Sequence, residues 1–179
     1  MFIASILVAS LVTAFIIDLV GQSTIRGAHA GNEAREQSES TLRLDSISAI
    51  RPNTSSPLTL LDIYVSVPSS AAPLDLDRLL IEALDDEDLV RLAYVDGPAS
   101  DDEYNATIVR DSGTAFDSAD AILTNGDSVK LRVNLTWTDL ELSARDFLEV
   151  HILPGSGAPL QARFYAPATL GTALRVELY

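Results

Sequence analysis

Cysteine is absent from the 179 residues, and lysine occurs once, as Lys130. The first absence excludes a disulfide framework and thiol catalysis, and it leaves the redox compartment open. The second, with 26 acids against 12 bases and a formal charge of −14, excludes nucleic acid as a partner, because phosphates are held by clustered Lys and Arg. Histidine is scarce too: His29 and His151 are the two, and no spacing brings them together as metal ligands. Neither a phosphate-cradling glycine loop nor a dinucleotide fingerprint occurs, and Ser156, in PGSGAP, lacks the pattern of a nucleophile elbow. The acidic runs Asp85-Asp86-Glu87-Asp88 and Asp101-Asp102-Glu103 lack calcium-loop spacing and read as solvated loops. The expectation is a non-enzyme with no catalytic residue, no cofactor and no metal.

What the chain does have is one long apolar run. Between Met1 and Val20 the polar residues are Ser5, Ser10, Thr13 and Asp18, and a run of this length matches the roughly 20 residues with which a helix spans a bilayer. Within it Ser5, Ala9 and Thr13 recur every fourth residue, as do Ser10 and Ala14, so small side chains line one helix face and let another helix approach closely. A secretory signal opens with Lys or Arg, yet the first base is Arg26. The expectation is that a basic leader is cut away on the N-terminal side and the apolar segment retained.

Residues 21–41 contain no proline, and their later portion, NEAREQSEST, is good helix sequence, although Gly21, Gly27 and Gly31 each cost a helix about 1 kcal/mol relative to Ala. A helix running to the end of this stretch is a rod of about 60 Å at 1.5 Å per residue, twice what a membrane requires.

From Leu42 the apolar period changes to two. Val129, Leu131, Val133, Leu135 and Trp137 alternate with Lys130, Arg132, Asn134 and Thr136, the pattern of a half-buried strand. Leu174, Val176 and Leu178 repeat it against Arg175, Glu177 and Tyr179. Further strands are expected at 58–67, 89–95, 106–109, 147–153 and 160–164, with residues 78–84 (RLLIEAL) either helix or strand. RPNTSSP, DGPASDDE, TNGD and LPGSGAP punctuate them. Six or seven such strands predict an antiparallel β-sandwich. The domain reading is an N-terminal helix over residues 1–41, apolar over 1–20 and continuing as a polar stretch over 21–41, followed by a β-sandwich head at 42–179. That head keeps 22 acids against 10 bases, a net of −12.

Three of the five asparagines begin Asn-x-Ser/Thr sequons: Asn53 (NTS), Asn105 (NAT) and Asn134 (NLT). Asn53 lies in a turn, Asn105 follows an acidic loop and Asn134 is on the polar face of its strand, and all three are candidate N-glycan acceptors.

An apolar start, a long polar continuation, a β-sandwich and sequons together resemble the archaellins, the archaeal flagellins. In the head the resemblance rests on the ordered fragments LTLLDIYVSV, LDLDRLLIE, LVRLAY, AILTNGDSVKLRVNL, VHILPGSGAPLQARFYAP and LRVELY. It implies an α+β, type IV pilin-like architecture in which a long N-terminal helix carries an Ig-like β-sandwich head. It also implies cleavage by a prepilin-type peptidase, transient membrane insertion, and polymerisation into an extracellular cell-surface filament, the archaellum, rotated by a basal motor. The polymer is either of one subunit or shared with a paralogous archaellin, and its heads carry N-linked glycans. In that setting Met1, Phe2, Ile3, Ile6, Leu7, Val8, Leu11, Val12, Phe15, Ile16, Leu19 and Val20 form the polymerisation core, with Ser5, Ala9 and Thr13 at close helix contacts. Physics agrees, since a helix apolar on all sides is stable only when buried all round.

Two features depart from the family pattern. The start MFIASILVAS is not glycine-rich, and Asp18 places a carboxylate near the end of the apolar run, with Arg26 of a neighbouring copy as a conceivable counter-charge. Met1 is either a processed N-terminus or an initiator. In the second case the alternative is a membrane-anchored component of the motor's stator; a minor pilin-like component and an adhesive pilus subunit are further alternatives.

Overall fold

Alternation of apolar and polar residues along successive segments is the physical basis of this fold: each strand turns one face inward and leaves the other to water. The computed structural model describes residues 42–69, 71–112 and 120–178. The apolar run, its polar continuation, Asp18, Arg26 and His29 lie outside the described residues. The chain divides into two units, Met1–Gln37 and Ser38–Tyr179, and the described residues belong to the second.

Eleven strands run through the described residues: β1 (Arg43–Ile50), β2 (Leu60–Ser66), β3 (Leu74–Asp75), β4 (Leu80–Leu84), β5 (Leu89–Tyr94), β6 (Glu103–Arg110), β7 (Ile122–Leu123), β8 (Ser128–Asn134), β9 (Phe147–Leu153), β10 (Leu160–Tyr165) and β11 (Arg175–Glu177). Nine are hydrogen-bonded in the order β10-β9-β4-β5-β6-β8-β2-β1-β11, and β3 pairs with β7. Every neighbouring pair in the large sheet is antiparallel except β5 and β6, joined in parallel through Ala93↔Glu103 and Tyr94↔Tyr104. This short joint divides the sheet into two layers, β10-β9-β4-β5 and β6-β8-β2-β1-β11.

The inward residues of both layers belong to one buried cluster: Ile81, Ala83, Leu92, Leu148, Val150 and Ile152 from the first, and Ile47, Ala49, Leu61, Ile63, Leu131 and Val133 from the second. Because each layer buries one face only, the two cover each other, which is the arrangement expected of a sandwich. At about 25 cal/mol per Å², each of these Leu, Ile and Val side chains contributes about 1.5–3 kcal/mol relative to exposure. Tyr104 of β6, also wholly buried, spans the interior and donates its hydroxyl to the carbonyl oxygen of Leu79 (3.0 Å).

The structure corrects or resolves the sequence reading at several points. The fold is not purely antiparallel, and it has more strands than six or seven, because several are only two or three residues long. RLLIEAL divides: Arg78 closes a 3-10 turn, Leu76–Arg78, capped by Asp75, and Leu80–Leu84 is strand β4. Strand β1, RLDSISAI, was not expected, since serines occupy one face and a bulge between Leu44 and Ser46 interrupts its alternation. Trp137 is not on the buried face. Strand β8 ends at Asn134, whose Oδ1 accepts the Thr136 N–H (3.1 Å), and the turn that follows leaves Trp137 47% exposed while Thr138 is buried. Leu174 is likewise exposed, because β11 begins only at Arg175 and its inward residue is Val176.

Candidate assembly and glycan-bearing surfaces

The twelve expected core residues from Met1 to Val20, with Ser5, Ala9 and Thr13, lie outside the described residues. The three sequons lie within them. Asn53 is exposed in the β1–β2 loop, and its Oδ1 accepts the backbone N–H of Ser55 at 2.9 Å. Asn134 makes the equivalent bond to Thr136, so in both the side chain folds onto its own sequon as an Asx turn. Asn105 is half-buried on β6 and stands opposite Arg132 of β8. The sequon hydroxyl residues Ser55, Thr107 and Thr136 are all exposed.

Register places two of these sequons together. Along β8 the even-numbered residues face outward, as Val129, Leu131 and Val133 are buried. Asn105 pairs with Arg132, so Asn105 and Asn134 project from the same outer face, that of the β6-β8-β2-β1-β11 layer, on adjacent strands.

The centre of that face is held by an ion cluster that sequence reading missed. Asp62 is fully buried, opposite Ser48 on one side and Arg132 on the other. Arg132 grips it with two hydrogen bonds (2.7 and 2.9 Å), and Arg175 adds a third (2.9 Å) while donating to the Tyr64 hydroxyl (3.1 Å). The sequence signal was an aspartate in the middle of LTLLDIYVSV, since Asp is depleted in strands and a buried one needs paired cations.

A second anchor fixes the TNGD turn. Asp127 is 1% exposed, and its carboxylate accepts from the backbone and hydroxyl of Ser112 (2.8 and 2.8 Å) and of Thr124 (2.7 and 2.8 Å). Burial, the largest single influence, pushes this carboxyl up, but the four hydrogen bonds together outweigh it and hold it below the usual carboxylate range. Gly126, at φ +86°, supplies the left-handed residue of this turn, and its carbonyl accepts from Arg110 (2.7 Å).

The outer face of the β10-β9-β4-β5 layer differs. Leu80, Leu89 and Tyr165 stand exposed on it. Between them Glu82 pairs with Arg91 (2.7 Å), and Glu149 with both His151 (2.9 Å) and Arg163 (2.8 Å). The His151 hydrogen bond and then the Arg163 charge hold the Glu149 carboxyl low against an opposing effect of burial. The Arg163 guanidinium also lies 4.9 Å from the Phe147 ring centre. His151 is thus occupied by two carboxylates of its own sheet, Glu149 and, at 3.8 Å, Glu82. The acidic runs close turns: Asp85 accepts the N–H groups of Glu87 and Asp88, and Glu103 accepts from the backbone and hydroxyl of Ser100.

This chain is similar to known proteins along nearly its whole length. The family model of archaeal-type flagellin matches residues 1–164. Flagellin B2 of Methanocaldococcus jannaschii is 25% identical over 186 aligned residues, covering 93% of this chain and 85% of that protein. Among solved structures, archaeal flagellin FlaB1 of Methanocaldococcus jannaschii superposes with a TM-score of 0.67 at 20% identity, over 76% of this chain and 95% of that one. The archaeal flagellum of Methanospirillum hungatei strain JF1 gives a TM-score of 0.63 at 17% identity, over 99% and 93%.

Proposed function

This chain belongs to the archaeal-type flagellin family and is a structural subunit of the archaellum filament, and on that premise we propose how its segments divide the work. Residues 1–41 form one helix whose apolar stretch, residues 1–20, occupies lipid only until assembly and then becomes the dry core of the polymer. Residues 42–179 form the head displayed outside the cell. The observation that carries this reading is that the family match runs over residues 1–164, so the apolar run and strands β1 to β9 fall within one continuous matched region. Copies related by a non-closing operation then propagate as a helix, and each of the 16 apolar side chains from Met1 to Val20 adds about 1 kcal/mol or more on burial.

In the same reading Asn53, Asn105 and Asn134 carry N-glycans that clothe the heads. A basal motor turns the filament, and a paralogous archaellin shares it or is absent. In this reading the chain is a structural protein and not an enzyme.

Filaments sheared from cells test this assignment. Mass spectrometry is expected to recover this chain as a major component, with added mass at the three sequons. Recovery from the membrane fraction alone would contradict it.

A further inference from the structure

The two outer faces of the head are not equivalent, and the difference assigns them different neighbours. Most of the head's net negative charge lies in loops such as Asp85–Asp88 and Asp101–Asp102. Loop-to-loop contact between copies is therefore repulsive. The sheet faces, by contrast, carry no excess of acid: on one, Asp62 and Glu177 stand against Arg132, Arg175 and Lys130, and on the other Glu82 and Glu149 are balanced by Arg91 and Arg163. An acidic copy meets no such repulsion at either face.

Of the two faces, that of the β6-β8-β2-β1-β11 layer projects Asn105 and Asn134. A glycan on either side chain excludes a packed neighbour. The opposite outer face has no sequon, and on it Leu80, Leu89 and Tyr165 are 41%, 56% and 52% exposed. Exposed apolar residues interspersed with paired charges are the composition of a surface that packs against protein while remaining soluble before assembly.

We infer that in the filament a second copy of this chain packs against the outer face of the β10-β9-β4-β5 layer, leaving the face with Asn105 and Asn134 to solvent. The choice between faces rests on those two asparagines being glycan acceptors. The apolar residues of the contact face are an independent observation.

The absence of cysteine provides a clean test, since a single introduced thiol is the only one present. Full-length Leu80→Cys and Gln161→Cys place it on the contact face, and Lys130→Cys places it on the other. Each is assembled, and its reaction with a bulky maleimide is compared between filaments and subunits dissociated in detergent. The first two are expected to react at least about tenfold more slowly in filaments and the third at a nearly unchanged rate, because burial in an interface protects as local closure does. A folded Leu80→Cys subunit that no longer assembles, while Lys130→Cys assembles normally, also supports the inference.

Equal reactivity of Leu80→Cys and Gln161→Cys in filaments and dissociated subunits overturns it, as does protection of Lys130→Cys alone or of both faces together. Mass spectrometry of the same filaments separates the two readings. Unmodified Asn105 and Asn134 beside a protected Leu80→Cys defeats the glycan assignment and leaves the packing face standing.

Discussion

At the scale of single residues, the head is held by two carboxylates placed where carboxylates are costly. Asp62 is wholly buried beneath Arg132 and Arg175, whose side chains remain 34% and 50% exposed. Removing one partner of a fully buried pair costs about 3–5 kcal/mol, but these cations can rehydrate. Asp62→Ala is therefore expected to destabilise the protein by about 2–3 kcal/mol, measured by denaturant unfolding, with little change on Lys130→Ala, which lies on the same outer face outside this ion cluster.

Asp127 supplies a pH dependence. Its folded-state affinity for protons is lower than in the unfolded chain, so it contributes stability that is complete above the unfolded value of about 3.9 and is lost as pH falls through the folded value. Unfolding midpoints of wild type and Asp127→Asn, followed between neutral pH and about pH 3, are expected to converge as the pH drops. A constant gap across that range would contradict the assignment. Glu149 is shifted in the same direction and adds to the acid sensitivity at the surface.

These residues also mark the limit of what one sequence reveals. Asp62 could be seen as an anomaly in an apolar strand, but its partners lie 70 and 113 residues away, and only strand order brings them together. The Asn105 and Asn134 sequons were legible from a three-residue pattern. Their sharing of one face follows from the register of β6 on β8, which the sequence does not contain.

At the scale of elements, alternation located strands wherever one face is strongly apolar. Strand β9 occupies 147–153 as expected, and β10 and β5 agree to within a residue of the expected ends. It failed at β1, where Ser46 and Ser48 dilute the pattern, and at Trp137, where a side chain to backbone bond ends β8 three residues before the apolar period does. Local hydrogen bonding by Asn competes with the ladder, and here it wins.

The turns themselves are built as firmly as the strands. Gly126→Ala would force a side chain into a left-handed conformation and bring its Cβ to 3.2 Å from the Ser112 hydroxyl. It is expected to cost about 1–2 kcal/mol in an unfolding experiment. Tyr104→Phe, which deletes the hydroxyl that reaches Leu79 beside the parallel β5–β6 joint, is expected to cost about 1 kcal/mol without changing the fold.

At the scale of the whole molecule, the chain combines a segment that water rejects with an acidic head that water accepts. Composition alone distinguishes the two. It could not show how the head's two faces divide between solvent and neighbours, since that depends on which strands form which layer. In this account the head confers solubility, glycan display and lateral contact, and polymerisation belongs to the apolar helix. The claim that assembly resides in residues 1–20 is the central one, and deletion tests it most directly. Protein comprising residues 21–179 is incubated under conditions where the full chain polymerises, and the product is viewed by electron microscopy and sedimentation. The account predicts a folded, soluble monomer and no filaments; filaments of normal diameter from the truncated chain would contradict it.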